Sequence, residues 1–190
     1  ELINEVASFD PEAADLSIPD CTYRIYRDTR FSTDKTPYKT HIGIFICPPY
    51  GKKSNRMGYY LHIEPGGSFV AGGTVCLPSK TISAIRNSIY ENIEEYLENV
   101  NKPDFREAYP KVGENEVKTA PKGVSKDWPY IELVRPRDFC VSHQLADEEM
   151  CSEGLKEKVT ELFKLTKPFN DFINFTIDEI NGVGNNIDNQ

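Results

Sequence analysis

The sequence predicts an α+β fold, a mainly antiparallel sheet in the first half packed against helices from the second half. Three observations predict it. Segments of period-two alternation crowd residues 21–77, the turns between them are short, and, residues 1–10 apart, the stretches with helical spacing of apolar residues begin after Leu77. Short turns join antiparallel neighbours, because a parallel crossover needs a dozen or more residues.

Each element follows from its own pattern. Leu2, Val6 and Phe9 recur near the helical repeat, so residues 1–10 read as the end of a helix. Pro11 and Pro19 punctuate a loop. Cys21–Arg27 alternates as a strand, with Tyr23, Ile25 and Arg27 on one side and Arg24 and Tyr26 on the other. Residues 28–40 carry no clean period and read as an ordered loop. His41–Pro48 is a strand with Ile42, Ile44 and Ile46 on one face, and residues 48–54 form a turn with exposed charge. In the strand Gly58–Glu64, Tyr59, Leu61 and Ile63 oppose Tyr60, His62 and Glu64. Glu64-Pro65-Gly66-Gly67 suits a tight turn, since proline pre-sets its second position and glycine accepts positive φ at its third. Ser68–Leu77 returns as the partner strand. Its Gly72-Gly73 pair suggests a bulge or a close backbone approach.

The helices come next. Ser79 can cap a helix whose apolar stripe is Ile82, Ile85, Ile89 and Ile93. Asn92-Ile93-Glu94-Glu95 has capping-box spacing, so this helix breaks and restarts there. A short helix covers Asp104–Tyr109, a polar loop covers 111–127, and a last strand centres on Phe139–His143. Residues 152–180 spell a long amphipathic helix, kinked or split at Pro168.

A chain of 190 residues is long enough for one well-buried core, so a single domain over residues 1–181 is expected, with 182–190 as a flexible tail. With 38% hydrophobic and 27% charged residues, it is neither a disordered tail nor a fibrous repeat. No apolar run approaches the length of a membrane span, so no membrane partner is expected. The five cysteines (Cys21, Cys47, Cys76, Cys140, Cys151) are odd in number and show no CxxC spacing. That argues against a disulfide framework and a zinc site, and for a reducing compartment, the cytoplasm. Cys21, Cys47 and Cys76, in or beside strands, read as small buried hydrophobes.

Charge is unevenly spread. The net charge is −8, yet residues 21–60 hold eight Lys/Arg against Asp28 and Asp34, a local +6. An acidic chain is a poor general nucleic-acid binder, but a local basic region can hold an anion. The run from Tyr23 to His41 interleaves arginine forks, lysine point charges and tyrosine faces. Arg27, Arg30, Lys35 and Lys39 would supply charge to an anion pocket, and Tyr26, Tyr38 and His41 would shape it. The competing reading pairs these cations with Asp28, Asp34 and the acidic helices, since residues 144–190 carry ten acids against four lysines.

A second candidate is the strand face Tyr60, His62, Glu64. Imidazole and carboxylate together suit general acid–base work, and with His41 they could hold a divalent metal. No spacing matches a signature such as HExxH, so no metal ligand is assigned and no cofactor is specified. A satisfied structural His–Glu pair is the competing reading. The run GGSFVAGG is no phosphate loop, because strand residues follow it. Cys76, Cys140 and Ser68 lack activating neighbours in sequence, and His143 reads as a packed side chain.

The run from Tyr26 through Ser32 and on from Asp34 to His41 resembles the signature of the domain-of-unknown-function family 2461. So do Gly58–Val70, Pro121-Lys122-Gly123 and Pro168-Phe169-Asn170-Asp171-Phe172. The resemblance spans nearly the whole chain. It implies a bacterial-type cytosolic protein without an assigned activity, in which a further N-terminal helical segment precedes Glu1. The function expected is binding of an anionic, phosphate-bearing small molecule by the basic run. The alternatives are a hydrolase-type enzyme using His62 and Glu64, or an interaction module with a purely structural ion-pair network.

Overall fold

The computed structural model describes residues 1–31 and 33–182. Helix α1 (Leu2–Phe9) buries Val6. Helix α2 (Ile18–Cys21) is a single turn that takes the start of the expected strand Cys21–Arg27. The reason lies just upstream: Pro19 fits a first helical turn, and the Ser17 N–H donates to the Asp20 carboxylate at 3.0 Å to close a capping box.

Strands β1 (Ile42–Ile46), β2 (Gly58–Ile63), β3 (Phe69–Thr74) and β4 (Phe139–Gln144) form one antiparallel sheet in that order. In β1 and β2, Ile42 stands opposite Ile63 and Ile46 opposite Tyr59. The β2–β3 turn is as expected: Gly67 N–H donates to the Glu64 carbonyl at 2.9 Å, and Gly66 sits at φ +72°. The face of Ile42, Ile44 and Ile46 is unevenly covered, since Ile42 is half exposed and Ile46 fully buried.

Helix α3 (Ser79–Glu91) has Pro78 at its N-cap, so Ser79 is its first residue and not its cap. Proline's φ of −58° and its ψ of 144° already suit the extended residue that precedes a helix. The chain does break before α4 (Ile93–Val100), but without the capping box. Asn92 instead donates its side-chain amide back to the Ser88 carbonyl at 3.0 Å, closing α3. Short α5 (Pro103–Ala108) follows where a helix is expected, and α6 (Asp147–Met150) is a single turn that the sequence pattern does not predict. Helix α7 (Leu155–Asn181) runs unbroken through Pro168, and Gly182 at φ +72° ends it. Of the expected flexible tail, residues 183–190 lie outside the described residues. Among the described residues, no helix is long and apolar enough to cross a membrane.

The chain forms two compact units, each assembled from three stretches. The first comprises residues 1–54, 58–71 and 143–164; the second comprises 55–57, 72–142 and the chain from 165 onward. In the first, Tyr59 is the hub. Its ring meets Phe9 edge-on at 5.5 Å and Phe163 of α7 at 5.4 Å, and its buried hydroxyl donates to Asp10 at 2.7 Å. Ile46, Leu61, Val70 and Val159 are buried in the same unit.

In the second unit Tyr96 packs on Phe169 and Phe172 of α7, at 6.4 and 5.3 Å, and Phe105 packs on Phe169 at 6.1 Å. Asn174 of α7 satisfies both backbone groups of Met57, accepting from its N–H at 2.7 Å and donating to its carbonyl at 3.2 Å. Gly72 and Gly73 mark close approaches. A Cβ at Gly72 would fall 2.5 Å from Thr166, and one at Gly73 (φ +122°) would fall 2.3 Å from the Phe139 carbonyl oxygen. All five cysteines stand outside disulfides. Cys21 and Cys47 are buried as expected, but Cys76 is exposed, at φ +59° just past β3.

Candidate functional site

In place of the predicted strand 21–27 there is an irregular arm. Its two limbs are tied by Tyr23 N–H to the Gly43 carbonyl (3.1 Å), Lys39 N–H to the Ile25 carbonyl (2.9 Å) and Arg27 N–H to the Pro37 carbonyl (3.0 Å). Only isolated bridges form, Thr22 with Ile44 and Tyr26 with Tyr38. From the first bridge to the second, one limb advances four residues (22 to 26) and the other six (44 to 38). The two extra residues form a bulge, which breaks the ladder and falls on the stretch holding Thr40 and His41. Bulges of this kind re-aim side chains beside functional sites.

The cations of the arm divide into two groups. Arg27 is held by the Asp34 carboxylate and by the Thr36 hydroxyl at 2.6 Å. Arg30 grips Asp28 with two bonds, at 2.6 and 2.9 Å. Lys35 donates to the Thr29 carbonyl at 2.7 Å. The Asp34 carboxyl is drawn down to about 2, first by the Thr36 backbone N–H and then by Arg27 and the Thr36 hydroxyl. Lys39 differs. It lies over the Tyr23 ring at 5.8 Å, and no ion pair engages it among the described residues. Tyr26 and Tyr38 pair their rings at 5.4 Å.

At the base of the arm the predicted face of β2 is assembled. The Tyr60 hydroxyl lies 3.1 Å from His62 Nδ1, and His62 Nε2 lies 3.1 Å from Glu64 Oε2. Thr40 donates to Glu64 Oε1 at 2.5 Å. The His62 ring stacks with those of His41, at 4.5 Å, and Phe69, at 4.7 Å. Gly43, opposite His62 in the β1–β2 register, makes room: a Cβ there would fall 2.8 Å from the Tyr60 hydroxyl and 3.2 Å from the Tyr23 ring. Thr40 and then His62 hold the Glu64 carboxyl below its usual range, and burial raises the Tyr60 phenol. In the tautomer with its proton on Nε2, His62 donates to Glu64 and accepts from the Tyr60 hydroxyl at Nδ1. One ligating atom from each of His41, His62 and Glu64 lies within 4.8 Å of the others.

A second hollow, in the other unit, carried no signal in the sequence reading. Cys76, Arg86, Asn115, Arg137 and Asp138 line it. The largely buried Asp138 carboxylate accepts from the Cys76 N–H at 2.8 Å and from the Asn115 side chain, so it holds in place the two non-glycine residues with positive φ among the described residues. Arg86 donates to the carbonyls of Arg135 and Pro136 at 3.0 and 2.8 Å. Positive φ at Cys76 and Asn115 would have been the signal, but it cannot be read from residue type alone.

The family model described as conserved hypothetical protein, DUF2461, matches residues 1–172. No curated protein and no solved structure matches the chain.

Proposed function

The chain belongs to the conserved hypothetical protein family DUF2461, and we propose that it binds an anionic, phosphate-bearing small molecule at the base of the arm, with Lys39 and His41 as its anchors. The observation that carries this reading is the division of the cations. Arg27 and Arg30 already face Asp34 and Asp28, whereas Lys39 has no ion-pair partner among the described residues. A cation in that state gains a full charge-assisted contact from an arriving phosphate, while a paired arginine must first give one up. The half-exposed rings of Tyr23, Tyr26 and Tyr38 supply flat faces beside it. We further read the protein as cytoplasmic, which the singly buried thiols of Cys21 and Cys47 support.

Thermal denaturation with pyrophosphate, tripolyphosphate and nucleotides tests the reading. A ligand at a hundred times its Kd stabilises the native state by about 2.7 kcal/mol, so Tm rises with concentration. Lys39→Glu removes that rise. Arg30→Glu weakens it less, because Asp28 already spans Arg30. A Tm indifferent to every phosphate probe would sink the reading.

One observation favours a second reading, a hydrolase-type enzyme. The Tyr60–His62–Glu64 relay has the order of hydroxyl, base and orienting carboxylate used in acid–base catalysis. It predicts turnover of a phosphate ester that His62→Ala abolishes and Arg30→Ala spares. Equal loss in both variants would count against it.

A further inference from the structure

We propose that His41, His62 and Glu64 form a binding site for one zinc-type divalent transition-metal ion. This goes beyond the anion reading and does not depend on it. The donor set is two neutral imidazoles and one carboxylate, a combination that suits borderline first-row ions and leaves a position for water. Their ligating atoms lie within 4.8 Å of one another. His62 Nε2 and Glu64 Oε2 are 3.1 Å apart. Two ligand atoms at about 2.0–2.1 Å from a tetrahedral zinc sit about 3.3 Å apart, so this pair needs almost no movement.

The scaffold explains why the three meet. Carried one step past its last pair, Ile42 with Ile63, the β1–β2 register sets His41 opposite Glu64, and His62 pairs with Gly43 next along. The bulge in the arm falls on Thr40 and His41, and the His41 ring lies against that of His62 at 4.5 Å. The supporting contacts that metal ligands require are already present. Thr40 fixes Glu64 through Oε1, which leaves Oε2 for the ion. When Nε2 of His62 gives its lone pair to the ion, Nδ1 carries the proton and donates to the Tyr60 oxygen. A hydroxyl accepts as readily as it donates, so that bond survives with its direction reversed. His62 and Glu64 side chains are 13% and 33% exposed, so an ion can enter and still lose most of its bulk water. Ligation through Nε2 puts the ring proton on Nδ1, where the acid–base reading needs the lone pair, so the two roles exclude each other.

The test is calorimetric titration of the chelator-treated full chain with Zn2+, followed by visible spectroscopy with Co2+. Saturation at one equivalent is expected, with Co2+ d–d bands of nitrogen and oxygen ligation and no thiolate charge-transfer band. Tyr60→Phe lowers affinity by roughly 10–100-fold, as losing a supporting partner does. His41→Ala and Glu64→Gln lower it further. Glu64→Gln keeps an acceptor for Thr40, so its circular dichroism and Tm confirm that the fold is intact. His143→Ala leaves the isotherm unchanged, because the third histidine is not among the ligands. No saturable binding, an isotherm unaltered in His41→Ala, or a thiolate band from Cys76 or Cys151 would overturn the proposal.

Discussion

A phenol shut away from water must find an acceptor, and Tyr59 finds Asp10. Tyr59→Phe keeps the ring contacts with Phe9 and Phe163 but removes one donor to the Asp10 carboxylate. The expected loss is about 1–3 kcal/mol, read from urea denaturation. Cysteine chemistry differs as sharply between neighbours. Burial pushes the Cys140 thiol up to about 12, so almost none of it is thiolate at pH 8, and burial raises Cys21 as well. Iodoacetamide at pH 8 should label the exposed Cys76 and Cys151 of the native protein and spare Cys21, Cys47 and Cys140 until denaturant is added. Mass spectrometry of the labelled peptides reads this directly. At this scale the sequence was informative wherever period two decides the face. Tyr60, His62 and Glu64 could be grouped without a structure, because alternation along one strand is local. The placing of His41 and Thr40 beside them depends on a register and a bulge, and neither leaves a mark in residue types 21 to 24 positions away.

At the scale of elements, the glycine pair in β3 has two different tasks. Gly72 gives Thr166 of α7 room, and Gly73 gives room to the backbone of β4. A side chain can yield a little; a strand backbone held in a ladder cannot. Gly72→Ala is expected to cost about 1–3 kcal/mol, and Gly73→Ala, which also forces alanine to φ +122°, about 3 kcal/mol or more. Chemical denaturation of the two variants checks the order. The pair was legible as a close approach, although its partners were not. Strands β1 to β3 and helices α3, α4 and α7 were legible because apolar residues recur along them at a regular period. The strand expected at 21–27 failed for a local reason: the Ser17–Asp20 capping box and Pro19 drew Cys21 into a helical turn before alternation could act. The unequal limbs of the arm then prevented a ladder.

At the scale of the whole molecule, α7, β3 and β4 each supply residues to both units. We propose on that ground that residues 1–181 unfold as the single domain expected from the sequence. Trp128, the one tryptophan, belongs to the second unit, where it meets Tyr90 at 4.9 Å, so its fluorescence reports on that unit alone. Its urea transition should coincide with the transition seen by far-ultraviolet circular dichroism. A fluorescence midpoint clearly displaced from the other would show that the two units melt separately.

The interleaving of the two units also bears on how the protein is born. The first unit is not complete until residue 164 has been synthesised, and the second needs chain beyond 165. Neither can therefore finish folding while the nascent chain is short. At about 5–20 residues per second, β1 to β3 wait several seconds outside the ribosome for the segment that becomes α7. During that interval Tyr59 lacks the Phe163 ring that α7 supplies. Termination before α7 therefore leaves neither unit complete.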